Sequence, residues 1–133
     1  MNIISGIIES VQVSGQLSLV KINAQGHIFS SIIIDTPATT DYLKANSPIQ
    51  IIFKETEVII GTSPMQELSL RNQISGTIAE VERAELLSKV LIETPIGVIR
   101  SIITTQAVDD LGLQVGYSAT AMIKTNEVML STL

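Results

Sequence analysis

Asn72-Gln73-Ile74-Ser75-Gly76 restates, seventy residues later, the stretch Asn2-Ile3-Ile4-Ser5-Gly6, and that repetition decides how the chain is organised. Carried outward at the same offset, Ile8 and Val11 fall on Ile78 and Val81, and Leu17, Ser18, Val20 and Ile22 fall on Leu87, Ser88, Val90 and Ile92. Ser31-Ile32-Ile33 then falls on Ser101-Ile102-Ile103, and Leu43, Lys54, Glu57 and Val58 fall on Leu113, Lys124, Glu127 and Val128. No gap interrupts the match, so it reports a duplication, and self-similarity at a fixed period overrides a single-domain reading. Gly61-Thr62-Ser63-Pro64-Met65-Gln66-Glu67 carries the turn and breaker residues of a connector. The expected organisation is a first domain over residues 1–61, a linker over 62–67 and a second domain over 68–133. A domain of this size buries only about 60% of the surface its unfolded chain exposes, so each is expected to pack against another module, within or between chains.

Within the second copy, Ile74 to Glu82 alternates apolar and polar residues, Leu86 to Glu93 is a second β-rich run, and Arg83-Ala84-Glu85 links them as a hairpin. Thr94-Pro95-Ile96-Gly97 breaks the chain before a strand over Val98 to Thr104. Ala107-Val108-Asp109-Asp110-Leu111 has helical spacing and stops at Gly112. Tyr117 to Lys124 and Glu127 to Leu130 complete five strands. In the first copy Thr36-Pro37 reads as an N-cap followed by proline at the first helical position, predicting a helix through Leu43. The pattern fits an all-β chain of two tandem small OB-like five-stranded barrels, each with one short helix.

The chain has 133 residues, 45% of them hydrophobic, with neither Trp nor Cys and only Phe29, Tyr42, Phe53 and Tyr117 as aromatics. Isoleucine supplies 22 residues, and its stiff branched side chain suits a pleated surface. Thirteen acidic against eight basic residues give a formal charge of −5, which excludes general attraction to nucleic acid or an anionic membrane. The lack of cysteine removes disulfides, thiolate metal sites and a cysteine nucleophile. The Met1-Asn2-Ile3-Ile4 start has no basic or apolar leader and no run is long enough to span a bilayer, so the expectation is a soluble cytoplasmic protein.

Catalysis has little support. His27 is the sole histidine, so neither a Ser-His-Asp triad nor an HExxH zinc motif is available, and it reads as a partly packed strand residue. Asp109-Asp110 reads as solvated helix charge, and Glu80, Glu82 and Glu85 as the polar face of a hairpin. No GxGxxG or Walker sequence occurs. What stands out is a sparse set of cations beside hydroxyl and amide groups: Lys54 and Lys124 at matching positions, and Arg71 at the entrance to the second copy. A tetrahedral dianion needs several convergent donors, which Arg, Lys, Ser, Asn and Thr supply. At about 4 Å and an effective dielectric near 20, each unit charge pair is worth roughly 4 kcal/mol before desolvation, so two cations suffice to hold such an ion.

Ser69-Leu70-Arg71-Asn72-Gln73-Ile74-Ser75-Gly76, then Ser101-Ile102-Ile103-Thr104, Val108-Asp109-Asp110-Leu111-Gly112-Leu113 and Ala121-Met122-Ile123-Lys124-Thr125-Asn126-Glu127-Val128-Met129, closely resembles the molybdenum-pterin-binding (Mop) domain, also called molbindin. The resemblance runs through the second copy, and the duplication gives a di-Mop arrangement. It implies an OB-like barrel that oligomerises, typically as a trimer of two-domain chains, and binds molybdate or tungstate between modules without an organic cofactor. The implied role is storage or homeostasis of molybdenum; the alternative is a molybdate-sensing module acting through a transport or transcription partner. Carried over residue by residue, Ser69, Arg71 and Asn72 match the family's Ser-x-Arg-Asn stretch, Lys124 and Thr125 its Lys-Ser/Thr pair, and Ser101 its third-strand serine. The first copy retains Asn2 and Lys54 but has no upstream Ser-x-Arg, and Glu55 replaces the hydroxyl residue after the lysine. A carboxylate there is expected to weaken anion binding by like-charge repulsion.

Overall fold

A computed structural model describes all residues 1–133. Ten strands and one α-helix follow in the order β1 (Asn2–Ser14), β2 (Leu17–Ala24), β3 (His27–Ile33), β4 (Pro48–Phe53), β5 (Ile59–Gly61), β6 (Asn72–Arg83), β7 (Leu87–Thr94), β8 (Gly97–Thr104), α1 (Thr105–Leu111), β9 (Ser118–Ile123) and β10 (Met129–Ser131). A single 3-10 turn precedes β5, over Glu55–Glu57, and another precedes β10, over Thr125–Glu127. The long first strand of each repeat obeys the alternation read from sequence: Ile4 and Ile8 point inward and Ile3 and Ile7 outward. Both carry an irregularity at the same place, between Ile8 and Ser10 and between Ile78 and Glu80, which bends the strand so that one half pairs with β2 or β7 and the other with β4 or β9.

The strand orders are β10-β4-β1-β2-β3 and β5-β9-β6-β7-β8. Each sheet therefore takes its short fifth strand from the other repeat. Met129 pairs with Ile52 in the first sheet, and Ile59 pairs with Met122 in the second. The exchanged strand also approaches the far edge, β10 to β3 and β5 to β8, which curls each sheet into a partly open barrel. Buried hydroxyls hold the crossing segments in place: Ser31 Oγ donates to Val128 O and Ser101 Oγ to Val58 O, both at 2.7 Å. The two barrels share one apolar core, in which Phe29 and Phe53 stack with centroids 6.4 Å apart among Ile22, Ile51, Ile78, Ile92 and Ile99. Burial of each such side chain is worth roughly 1.5–3 kcal/mol, and joining the cores answers the marginality of a lone repeat.

The helix appears in the second repeat alone; the one expected over 36–43 does not form. Thr104 Oγ1 accepts from Ala107 N at 3.1 Å to start α1, and Gly112, in the left-handed region at φ 63 and ψ 38, ends it. At the same offsets the first repeat has Ile34, which cannot cap, Pro37, which has no N–H to donate, and Tyr42 in place of the glycine. Thr36 does not cap with its hydroxyl; its carbonyl accepts from Thr39 N and Thr40 N, and the chain turns once and stops. Gly76 serves close packing: a Cβ there would lie 2.1 Å from the Glu93 carbonyl oxygen.

Candidate functional site

The first strand of each repeat begins opposite the end of its fourth. Asn72 pairs with Ile123 and Asn2 with Phe53, so the strand direction carries Arg71 toward Lys124 and Met1 toward Lys54. Both lysines have the same extended backbone, φ −69 and ψ 144 for Lys124 and φ −76 and ψ 147 for Lys54, and each leads into a 3-10 turn. The turn after Lys54 packs on β8, and the turn after Lys124 packs on β3, so each end is completed by the other repeat.

At the second end Ser69, Arg71 and Lys124 are exposed and Thr125 is half-buried. Arg71 Nη1 donates to Leu68 O at 2.9 Å and to Gln66 O at 3.2 Å, which fixes the guanidinium on the connector and leaves Nη2 and Nε uncommitted. Gln73 completes the grip: its Nε2 donates to Met65 O and Leu70 O, and its Oε1 accepts from Met65 N. Ser69 is thereby tied close to Arg71. The result is two cations and two hydroxyls at one end of a sheet, a donor set suited to a small oxyanion.

The first end is built differently. Glu55 stands at the register of Thr125, and its Oε1 accepts from the Met1 α-ammonium at 2.8 Å, while Lys89 Nζ lies 3.7 Å from Oε2. The hydrogen bond from that ammonium, with Lys89 adding charge, holds the Glu55 carboxyl below its ordinary value against the partial desolvation that would raise it. Lys89 lies on β7 of the opposite repeat, where the second end has Leu19 on β2.

Asn2, Asn72 and Ser101 are placed beside these ends but are buried, and their polar atoms engage backbone. Asn72 Nδ2 donates to Ser30 O at 2.8 Å and its Oδ1 accepts from Ser30 N at 2.7 Å; Asn2 makes the same paired bonds to Arg100 O and N, both at 2.8 Å. Each asparagine thus mimics a strand neighbour and fastens its own barrel to the third strand of the other. His27 is half-buried and meets Phe29 edge-on at 5.3 Å; burial lowers its pKa, opposed by a backbone hydrogen bond with Gln73. A cleft of about 690 Å³ between Gly6, Asn23, Asn46 and Leu133 contains none of the cations discussed.

The TOBE domain family model matches residues 68–130. Molybdenum-pterin-binding protein 3 of Clostridium pasteurianum is 34% identical over 64 residues, which are 47% of this chain and 94% of that protein. The chain belongs to the Mop family. With two Mop repeats, it is similar over 99% of its length to a solved structure of the cytoplasmic molybdate-binding protein ModG with molybdate bound, at a TM-score of 0.93 and 27% identity, covering 96% of that chain. The molybdenum transport protein ModE of Herbaspirillum seropedicae is 30% identical over 98% of this chain, and the chain spans 49% of its length. The ModE of Azotobacter vinelandii is 26% identical and likewise spanned over 49%.

The sequence comparison singled out Arg71, Lys124 and Thr125 by their motifs but missed Gln73, Lys89 and the ammonium on Glu55. Their signal lay in the mismatches of the duplication: Gln73 replaces Ile3, Lys89 replaces Leu19, and Arg71 stands where Met1 stands.

Proposed function

We propose that this Mop protein binds molybdate or tungstate as an intact tetrahedral dianion and serves cytoplasmic storage or homeostasis of molybdenum without catalysing a reaction. The observation that supports the reading is the strand register that sets Arg71 and Lys124 at adjoining strand ends, with Ser69 and Thr125 next to them in sequence. The cations offset the dianion's charge and the hydroxyls donate to its oxygens. Asn72 and Ser31 frame this site by fixing the opposite repeat against it, as Asn2 and Ser101 do at the Lys54 end. The functional units are the domains over 1–61 and 68–133, joined by 62–67, and the end formed by Asn2 and Lys54 is the weaker one. Chains associate as trimers that place these ends at module interfaces, without nucleic acid or membrane as partner.

A second reading, a molybdate-sensing module acting through a transport or transcription partner, is supported by the alignment of nearly the whole chain with half of ModE. Isothermal titration with molybdate, tungstate, sulfate and phosphate tests the leading reading. Saturable binding of the first two is expected, and absence of heat with both would overturn it. Stoichiometric capture of a transport or transcription protein would favour the sensing module.

A further inference from the structure

We propose that Glu55 is an intramolecular ligand: its carboxylate occupies the place that an oxyanion takes at the second end, and Lys89, reaching over from the opposite repeat, is a cryptic anion-binding residue. The inference rests on the oxyanion reading of the Arg71–Lys124 end and deepens it.

The duplication supplies an internal control. The two ends share backbone conformation at Lys54 and Lys124, at Val58 (φ −89, ψ 118) and Val128 (φ −88, ψ 118), and in the asparagine clamps that close them. Among the positions that differ between the ends, two form a charge pair: Glu55 stands where the other end has hydroxyl-bearing Thr125, and Lys89 where it has apolar Leu19. A negative group and a positive group enter at places far apart in sequence and meet in space at 3.7 Å. Arg100 adds a further cation on β8, where β3 has Ser30.

The geometry of the carboxylate fits the role. Each oxygen faces its own ammonium, Oε1 that of Met1 and Oε2 that of Lys89, so the group bridges two cations as one edge of a tetrahedral oxyanion would. The Glu55 side chain is one-fifth exposed, while the Met1 and Lys89 groups that face it stay open to solvent. An ordinary surface glutamate would not need a second cation recruited from the opposite barrel. Removing the carboxylate leaves Lys89 and the Met1 ammonium facing a vacated position next to the Lys54 backbone, the donor chemistry of an oxyanion site.

The test compares the assembled wild-type protein with the Glu55→Thr and Glu55→Thr/Lys89→Leu variants, counting bound tungstate by native mass spectrometry and titration calorimetry. Glu55→Thr is expected to bind one more tungstate per chain than wild type, and the added Lys89→Leu change to weaken that extra site at least tenfold. An unchanged count in Glu55→Thr would overturn the assignment; so would an extra site indifferent to Lys89. A wild type that binds nothing beside a Glu55→Thr variant that binds one ion would sink the oxyanion reading of the Arg71 end while sustaining this one. Glu55→Ser is measured in parallel, and its count decides where the threonine variant fails to assemble.

Discussion

At one end of the molecule Glu55 follows Lys54 and at the other Thr125 follows Lys124, with the same backbone, the same buried asparagine and the same buried serine around each pair. The difference lies in side chains at the ends, apart from the shared strand order and clamps. Duplication held the architecture fixed because each repeat completes the other: fifth strands are exchanged, and Asn2, Asn72, Ser31 and Ser101 bind backbone across the boundary. A change in any of these would damage both barrels. The residues facing solvent at the ends carried no such constraint, so one end kept an open donor set while the other filled its own.

The largest expected effect probes how strict the shared frame is. A methyl at Gly76 would press on the Glu93 backbone at 2.1 Å, whereas at Gly6 it would first meet the Ile22 side chain at 2.6 Å and the Asn23 carbonyl at 3.0 Å. Side chains yield more easily than a hydrogen-bonded strand. Gly76→Ala is expected to cost on the order of 3 kcal/mol or more, and Gly6→Ala about 1–3 kcal/mol, as for overpacked cores. Urea unfolding of the two variants checks the order; equal losses would mean that the repeats approach their neighbours alike.

A smaller effect separates the ends by charge. A carboxyl with a lowered folded pKa stabilises the native state above its unfolded pKa, and that contribution disappears as pH falls through the folded value. Glu55 is such a group. Glu55→Gln should therefore be less stable than wild type at neutral pH, with the gap closing between the ordinary carboxylate range and the more acidic folded value. Thr125→Glu offers the reverse comparison, because Leu19 supplies no ammonium to receive the charge. Denaturant midpoints across this acid range check the sign, and a gap that persists at the acid limit would remove the ion pair as its cause.

Much of the architecture was legible because it depends on patterns local to the chain. Alternating isoleucines gave strands, and Thr104 and Gly112 bounded the one helix that forms. Thr36-Pro37 misled because a start signal without a capping hydroxyl bond, followed by Pro37 and lacking a terminal glycine, propagates only one turn. The strand exchange was not legible, since Ile59–Gly61 and Met129–Ser131 have the same pattern whichever sheet they join. At the ends, motif matching singled out Arg71 and Lys124, and the register sets them on adjoining strand termini. It also grouped Asn72, Asn2 and Ser101 with the exposed donors, because residue type alone does not tell a buried clamp from a ligand. Lys89 was invisible for the opposite reason: it matters only through a contact with Glu55 across the barrel boundary.

Two ends built on one frame differ in what fills them. Anomalous X-ray diffraction from crystals of the wild-type protein soaked in tungstate locates the bound metal directly. Tungsten is expected beside Arg71 and Lys124, with none beside Lys54 and Glu55. Equal occupancy of both ends would contradict it.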